Sequence, residues 1–523
     1  MPRAGRNFTF GIIEGPDRNV SSGGPFVASQ LTLTALSTYD GSGTVTSPSG
    51  YSQPFSFTAN HPTIIDLPHN LTHQTDLGKT AKGVLVHTTR PVNLVLEDSV
   101  VDAGDASQIY PDDGLDTNYV VSEWGLWNDI GENNRVEFLV TASQDSTHVS
   151  IVPSSMTMLI EPSNVSIEIM LMKGECYMVK ADSNSRPKNI GLSGSTVRAD
   201  KPVSVMVGTT CAYVPAGVQS CNELMDELIG RKWWGTHFFV QPLGNVDSMV
   251  ELLLTGDTDF VAIINGTPSL ANGKRLVSEV RGAAEILATV PVEVHQLTRG
   301  SELSPGAQGD PTLVTILPVS QYSDTMIWVS PNMLADLSPF THWAPIIFPT
   351  AAYNSIMLDG VALAAIPATR LAGVVRPINA SAWSAINPIV SEGVHTLCSP
   401  VPIFALCTGF QLADAYSFIP GTVLPLSKPD GTQGLPTESA NESASLAVSI
   451  YPNPSSTYVR VIGAVPLSDI GLVDPLGREV IHIATISDEY SFDVEHIPAG
   501  TYTLVANSRS SNAQGHWQIS IIH

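Results

Sequence analysis

The chain has 523 residues, a length that suits about three to five domains. Only 14% of its residues are charged, while 41 Gly and 38 Pro make it rich in turns. Its 49 Asp and Glu outnumber 25 Lys and Arg, which gives a net charge of -24 at pH 7. Because such a charge repels nucleic acid and anionic membranes, we expect no nucleic-acid partner.

The apolar runs are too short or too interrupted for a membrane-spanning helix, even over residues 401–410. The first residues, MPRAGRNFTF, contain no continuous apolar core of a signal peptide. If the protein is exported, we expect a signal that this stretch does not supply.

Apolar and polar residues alternate between Gly, Asp, Asn and Pro turns along most of the chain. This period of two predicts β-strands nearly everywhere. Only SCNELMDELIG, residues 220–230, has a helical pattern, and it predicts at most about two helical turns around Glu223–Leu228.

An internal repeat organises the first 420 residues. A Pro-Val or Pro-Ile step opens an apolar strand four times, a turn precedes each step, and a strand with aromatic residues separates successive copies. The steps lie at Pro91, Pro202, Pro291 and Pro402, the turns at Asp40, Asp145, Asp257 and Asn354, and the aromatic strands near Trp124, Phe239 and Trp328.

The repeat predicts an all-β fold of tandem β-sandwich-like repeats followed by a C-terminal Ig-like β-sandwich. A propeller is the alternative, but its blades need only about 40–50 residues each. The predicted boundaries are 1–105, 106–215, 216–305 and 306–420 for the four repeats, 421–446 for a Pro-, Gly- and Ser-rich linker, and 447–523 for the C-terminal domain.

Five cysteines are present. Cys211 and Cys221 bracket a short loop and predict a disulfide in an oxidising compartment. Cys398 and Cys407 flank a predicted hairpin and are candidates for a second disulfide. Cys176 is left over, and the alternative is that all five are buried free thiols.

Carboxylates cluster in the segment PDDGLDTNY, where Asp112, Asp113 and Asp116 are candidate Ca²⁺ ligands. The later Asp129 and Glu132 are similar, and the alternative for both is a solvated acidic loop. His69 and His73 have zinc-site spacing, but Pro68 argues against a helix there, so we interpret them as surface histidines. Beyond a structural Ca²⁺, we expect no cofactor.

The chain has no nucleophile elbow, metalloprotease motif or phosphate-binding loop, so we expect that it is not an enzyme. Six tryptophans lie between predicted strands or repeats. They either present faces for sugars and partners or pack between domains. They are Trp124, Trp127, Trp233, Trp234, Trp343 and Trp383.

The C-terminal residues resemble the sorting domain of the type IX (Por) secretion route of Bacteroidetes-type bacteria. The matching segments are YPNP, DPLGREV and IPAGTY, with Tyr451, Pro452, Asn453, Pro454, Gly477 and Gly500 as the motif residues. The resemblance implies export and contact with the secretion machinery of the outer membrane. An ordinary Ig-like terminal domain is the alternative.

Residues 1 to about 420 resemble the N-terminal domain of IgGFc-binding proteins. The segment GTTCAYVP at 208–215, the CNEL that begins at Cys221, and Trp234-Gly235 carry the resemblance, with VRADKPV at 197–203 in support. The resemblance implies extracellular adhesion or recognition.

These observations favour a secreted or cell-surface bacterial protein with an adhesive or structural role and a rod or stack of four repeats. Its partners would be an extracellular protein, a glycan or copies of itself. One alternative is a filament or surface-layer subunit joined by β-augmentation. The other is a secreted carbohydrate-binding protein or carbohydrate-active enzyme.

Overall fold

The structure is a computed structural model that divides the chain into two compact units, residues 1–427 and 428–523. We call them the ring unit and the C-terminal unit. The structure describes residues 1–16, 28–100, 103–125, 136–159, 161–182, 191–215, 217–218, 220–244, 249–304, 308–331, 339–372, 375–379, 381–412, 414–422, 448–451, 458–463, 467–473, 478–484, 489–508 and 514–521.

The prediction of an all-β protein is confirmed. The described residues form 41 strands and several single-turn 3-10 helices, with no α-helix among them. The 3-10 turns are His69–Leu71, Arg231–Trp233, Ser301–Leu303, Val319–Gln321, Thr350–Ala352, Leu363–Ala365 and Ala368–Arg370.

The strands of the ring unit fall into four repeats. Repeat 1 contains β1 (Gly5–Phe10), β2 (Gln30–Leu36), β3 (Gly41–Thr46), β4 (Ser52–Phe57), β5 (Thr63–Leu67), β7 (Val84–Val100) and β8 (Ala103–Ile109). Repeat 2 contains β6 (Gly78–Thr80), β9 (Asp116–Val120), β10 (Val136–Ala142), β11 (Thr147–Val152), β12 (Ile167–Leu171), β13 (Cys176–Lys180), β14 (Thr196–Tyr213) and β15 (Cys221–Glu227).

Repeat 3 contains β16 (Gly235–Val240), β17 (Met249–Thr255), β18 (Val261–Ile264), β19 (Thr267–Leu270), β20 (Arg275–Arg281), β21 (Ala284–Leu297) and β22 (Leu313–Ile316). Repeat 4 contains β23 (Ser323–Ser330), β24 (Thr341–Trp343), β25 (Ile346–Pro349), β26 (Met357–Leu358), β27 (Val361–Ala362), β28 (Arg376–Pro377), β29 (Trp383–Ile386), β30 (Ile389–Val390), β31 (Gly393–Ala405), β32 (Cys407–Gln411), β33 (Asp414–Phe418) and β34 (Gly421–Thr422). The domain boundaries given by the sequence stay predictions.

One long strand organises each repeat: β7, β14, β21 and β31. In repeat 1 the first half of β7 pairs with β1 and β3, and its second half pairs with β2 and β8. Strands β14 and β21 serve two ladders in the same way, so repeats 1 to 3 are each a pair of sheets that share a strand, as in a β-sandwich. In repeat 4, β31 pairs with β26 and β25, and the inner strand β33 belongs to a separate sheet of the order β30, β24, β32, β33.

The repeated proline lies where each long strand passes from one ladder to the other. The register of pairing with the first strand of the repeat shifts at this point in all four copies. The pairs on either side of the shift are Gly5–Val92 and Asn7–His87, Asp116–Val203 and Asn118–Arg198, Gly235–Val292 and His237–Leu287, and Ser323–Ile403 and Thr325–Cys398. Pro91, Pro202, Pro291 and Pro402 immediately precede the resumed pairing. Because proline has no N–H for a ladder, it fits this interruption.

The other repeated features also occupy equivalent places. The turns at Asp40, Asp145, Asp257 and Asn354 lie between the second strand and the outer hairpin of each repeat, and the aromatic segments near Phe239 and Trp328 are the first strands of repeats 3 and 4. The outer hairpins are β3–β4, β11–β12, β18–β19 and β26–β27.

The four repeats close into a ring, so the expected rod or stack is wrong. Strand β8 contacts β15, β15 contacts β22, β22 contacts β33, and β33 returns to contact β8. These four inner strands are almost entirely buried. The two helical turns expected around Glu223–Leu228 are also wrong, because Cys221–Glu227 is the inner strand β15.

The C-terminal unit consists of two antiparallel sheets. One has the order β35 (Val448–Tyr451), β36 (Tyr458–Gly463), β39 (Glu489–Asp493), and the other has the order β38 (Glu479–Ala484), β37 (Leu467–Val473), β40 (Gly500–Ser508), β41 (Gln514–Ile521). Apolar residues from both sheets, including Val459, Leu472 and Leu504, form one core, as in the sandwich that the sequence predicts. Most of the predicted linker, residues 423–446, lies outside the described residues.

Candidate functional site

A buried polar cluster occupies the middle of the ring, where the four inner strands meet. We call Asp105, Asn222, Glu223, Asp226 and Asp414 the polar centre. All five side chains are buried, and they come from β8, β15 and β33. Their place in the ring makes them the first candidates for a functional constellation.

Asn222 connects its own repeat to the other three. Its amide Oδ1 accepts from the backbone N–H of Gly104 at 3.0 Å, and its Nδ2 donates to the carbonyl of Gly104 at 2.8 Å. The same Nδ2 is 3.1 Å from the carbonyl of Pro311, 3.3 Å from the carbonyl of Ala415 and 3.3 Å from Oδ1 of Asp414. One side chain therefore joins all four repeats.

Asp105 and Asp226 make similar connections. Asp105 accepts from Thr312 Oγ1 at 2.8 Å and from the backbone N–H of Met225 at 3.2 Å. Asp226 accepts from Ser107 Oγ at 2.9 Å and from Thr315 Oγ1 at 2.7 Å. Each carboxyl group thus holds two other repeats to its own, which sets the register of the ring.

Burial raises the pKa values of these carboxyl groups. It raises the pKa of Asp226 to about 6 and that of Asp414 to about 8, although hydrogen bonds to each group act in the opposite direction. The pKa of Glu227, buried beside the centre, is raised to about 8 for the same reason. Several of these groups therefore stay protonated near neutral pH and act as hydrogen-bonding groups.

Glu223 is the least satisfied member of the centre. Neither carboxylate oxygen has a hydrogen-bond partner among the described residues. Burial raises its pKa well above the usual value, and the nearby carboxyl groups of Asp98, Asp105 and Glu137 raise it further. A protonated glutamic acid suits this environment because a buried, unpaired charge is very costly.

The candidate Ca²⁺ ligands do not converge. Asp116 accepts from the backbone N–H groups of Thr117 at 2.7 Å and Lys232 at 2.9 Å, and so fixes a turn. Asp113 is exposed, and Asp112 faces a cleft lined by His87 and Lys173. Within the described ranges, no group of three His, Cys, Asp or Glu side chains is placed to hold a metal. Asp129 and Glu132 lie outside those ranges.

The interpretation of His73 as a surface histidine is wrong. His69 begins a 3-10 turn and is half-buried, whereas His73 is fully buried. The ring of His73 lies 2.7 Å from the carbonyl oxygen of Ile12 and 2.7 Å from Thr80 Oγ1. Burial lowers the pKa of His73 to about 4, so it is a neutral core residue.

Cys211 and Cys221 form a disulfide with their Cα atoms 5.2 Å apart. The bridge joins the end of β14 to the start of β15, where Tyr213 pairs with Cys221. It therefore closes the loop that leads into the inner strand carrying Asn222 and Glu223.

The second predicted disulfide is not present, because Cys398 and Cys407 are free thiols. No hairpin turns back between them: β31 continues from Cys398 to Ala405, and an extended stretch of that length spans on the order of 20 Å. Cys398 is exposed, whereas Cys407 and the leftover Cys176 are buried. A disulfide needs Cα atoms only about 4.4–6.8 Å apart.

A buried lysine, Lys180, is a feature that the sequence pattern did not predict. Lys180 is buried at the junction of repeats 1 and 2 and pairs with Glu14 and with Glu137, 3.0 Å away. Its Nζ also donates to the carbonyl of His73 at 2.8 Å. Burial raises the pKa of Glu137 even though the charge of Lys180 opposes this. In the sequence, the feature that could have indicated this buried lysine is a single Lys at the end of the apolar segment CYMVK.

The described tryptophans pack between strands and repeats. Trp383 of repeat 4 lies 5.0 Å from the ring of Phe239 in repeat 3, and Trp343 belongs to the same core. Trp124 and Trp234 are buried, with Trp124 donating to the carbonyl of Tyr213 at 2.9 Å. Trp233 is half-buried and donates to the carbonyl of Gly114 at 2.6 Å. Trp127 lies outside the described residues.

The sorting-motif residues are only partly described. Tyr451 ends β35 and Gly500 begins β40, while Pro452, Asn453, Pro454 and Gly477 lie outside the described residues. Among the helices that the structure describes, none is long and apolar enough to cross a membrane.

Two family models match the chain. The family model "IgGFc binding protein" matches residues 105–409, and the model "Secretion system C-terminal sorting domain" matches residues 449–520. The human protein named "IgGFc-binding protein" is 22% identical over 342 residues, which is 64% of this chain. This chain spans only 6% of the length of that relative.

A solved structure titled "Biofilm associated protein - BSP domain" is similar over 82% of this chain and 92% of that chain, with 8% identity and a TM-score of 0.14. The sorting-domain match places the protein outside the cell or at its surface. Both resemblances inferred from the sequence are confirmed, and the chain belongs to the IgGFc-binding protein family.

Proposed function

We propose that this protein is a non-enzymatic adhesive protein of the bacterial surface, exported by the type IX route, that binds an extracellular protein or glycan through its ring unit. The observation that carries the proposal is the family match over 105–409, which covers repeat 2 except β6, all of repeat 3 and most of repeat 4. The curated relative is named for immunoglobulin Fc binding. No cofactor is part of the proposal.

The architecture supports this role because contacts between the buried inner strands hold the ring together. Its polar centre is buried, so the four inner strands serve cohesion. The four outer hairpins recur at equivalent positions, and connections on a rigid scaffold are common places for recognition.

Binding of the purified full chain tests the proposal. We expect saturable binding to an immobilised extracellular target, measured by surface plasmon resonance against immunoglobulin Fc and a panel of secreted proteins, and by a glycan array. Loss of binding after heat denaturation is the control for specificity. Absence of binding throughout, or turnover of any glycan on the array, would contradict the non-enzymatic adhesive role.

A second candidate function, self-assembly, is favoured by one edge of repeat 2. Strand β12 lies at the end of its sheet and pairs with β11 alone among the described strands. Met170 and Met172 are 49% and 44% exposed, and Val165 nearby is 51% exposed. An exposed apolar edge is a template for pairing with a second copy.

Light scattering and negative-stain imaging separate the two candidates. If β12 joins copies, the full chain forms filaments or oligomers, and Met170→Lys dissolves them because a charge blocks edge pairing. A monomer at all concentrations would exclude self-assembly.

A further inference from the structure

A small cleft between repeats 2 and 3 gathers basic side chains. We call it the basic cleft, and its cavity volume is about 50 Å³. Arg198 lies on the first half of β14, Arg231 follows β15, and Lys274 lies between β19 and β20. The polar and charged residues that line it include Asn118, Thr196, Arg198, Arg231, Asp257 and Lys274.

The charges in the basic cleft are not balanced. Arg231 pairs with Asp257, and its guanidinium also lies 6.0 Å from the ring of Trp234. Within the described part of the chain, neither Arg198 nor Lys274 forms an ion pair or a side-chain hydrogen bond. Three cations against one carboxylate therefore leave two positive charges uncompensated, in a protein whose net charge is -24.

The fold does not impose the positive charge of the basic cleft, because an equivalent cleft between repeats 1 and 2 is lined by a different set of charged residues. In that cleft Asn7 is the cross-strand partner of His87. In the basic cleft Asn118 is likewise the cross-strand partner of Arg198. Lys173 follows β12 as Lys274 follows β19, but Asp112 takes the place of Arg231.

The first cleft also has different polar contacts. The ring Nδ1 of His87 lies 2.8 Å from Oδ1 of Asn7, and Asp112 adds a carboxyl group. The same scaffold thus carries a mixed set of charges in one cleft and a basic set in the other.

We propose that the basic cleft binds a single oxyanionic group, a sulfate ester or a carboxylate, carried by an extracellular glycan. The planar guanidinium of Arg198 suits the paired oxygens of such a group, and Arg231 is already held in place by Asp257. Asn118 and Thr196 add polar groups that suit the hydroxyls of a sugar.

The net charge of the protein limits the ligand further. A dense polyanion is repelled by a surface of charge -24, whereas one isolated anionic group responds mainly to the local cations within a Debye length of about 10 Å. The ligand therefore carries sparse rather than dense negative charge. This inference rests on the proposed function, because it assigns part of the recognition surface.

Calorimetric titration of the full chain at low ionic strength tests the site. The probes are glucose 6-sulfate, glucuronate, inorganic sulfate and, as the neutral control, glucose. We expect binding of the charged sugars and none of glucose. The Arg198→Gln variant should weaken binding of the charged sugars about tenfold because one charge-assisted contact is lost.

The Lys173→Gln variant is the matched control, since it removes one positive charge from the other cleft, at the position that corresponds to Lys274. We expect it to bind the charged sugars as the unchanged protein does. Equal weakening by both variants would overturn the proposal, because it would mean only a general effect of charge. Binding of none of the anions, or tighter binding of inorganic sulfate than of either charged sugar, would overturn it as well.

An adhesion assay with the same variants separates this site from the proposed function. Adhesion that persists without any binding of charged sugars would remove the basic cleft and leave the adhesive role intact. Binding of charged sugars by a protein that adheres to nothing would remove the adhesive role and keep the site. Arg198 is exposed and unpaired among the described residues, so Arg198→Gln should unfold at the unchanged temperature.

Discussion

The ring unit and the C-terminal unit are both built from antiparallel sheets but are held together differently. In the C-terminal unit, the buried side chains among the described residues are apolar, as in Val461 and Leu504. The ring unit instead buries carboxyl and amide groups where its repeats meet, with Asn222 and Asp105 as examples. Two sheets need only matching apolar faces, whereas four repeats need directional bonds to fix their register.

Removal of residues 428–523 should show the difference between the roles of the two units most clearly. Because the sorting domain lies in this segment, we expect nearly complete loss of the protein from the cell surface and medium. Fractionation followed by immunoblotting measures this, with total protein level as the control. An unchanged surface level would contradict the role assigned to the C-terminal unit.

Asn222→Ala should produce the largest loss of stability in the ring unit. It leaves the carbonyls of Gly104, Pro311 and Ala415 without this partner, so we expect a loss of about 3 kcal/mol in the free energy of unfolding. Urea denaturation measures it. Asn118→Ala, on the partly exposed strand β9, is the control and should cost far less.

The pH dependence should also differ between the units. Carboxyl groups with raised folded-state pKa values bind more protons when folded, so their contribution to stability is present at low pH and is lost as pH rises. For Asp226, Glu227 and Asp414 the loss runs from about pH 4 to about pH 8. We therefore expect the ring unit to become less stable between pH 5 and pH 8.5, with little change in the C-terminal unit.

Thermal unfolding of the full chain at the two pH values checks this expectation. Glu227→Gln, which imitates the protonated acid, should make the ring transition less dependent on pH. A ring unit that becomes more stable with rising pH would show that its buried carboxyl groups are ionised when folded.

Loss of the Cys211–Cys221 disulfide should have a smaller effect that is confined to the ring unit. The bridge closes a short loop, so replacing both residues with Ser should cost about 2 kcal/mol of unfolding free energy. Cys398→Ser is the matched control, because Cys398 is an exposed free thiol. A shift of the C-terminal transition in the double variant would be evidence against independent units.

Much of the ring unit could be predicted from sequence because its repeat is marked by chemistry. Proline cannot take part in a strand ladder, so Pro91 and Pro202 mark the same bend in two successive repeats. The alternating pattern likewise predicted strands correctly. Closure of the ring left no such local mark, because contacts between β8 and β33 join residues far apart in the sequence.

The candidate site was largely hidden for a related reason. Strand β15 buries polar and apolar side chains alike, so Asn222, Glu223 and Asp226 gave it a helix-like pattern. The basic cleft draws Arg198 and Lys274 from separate strands of two repeats, and only the folded chain brings them together. The family resemblances, by contrast, rested on contiguous segments and could be recognised directly.

Scanning calorimetry of the full chain tests most directly whether the four repeats form one closed body. Two transitions are expected, one from the whole ring unit with an enthalpy of roughly 300 kcal/mol and one from the C-terminal unit of roughly 65 kcal/mol. Several separate transitions of about 70 kcal/mol, one for each repeat, would contradict the closed ring and restore a chain of independent domains.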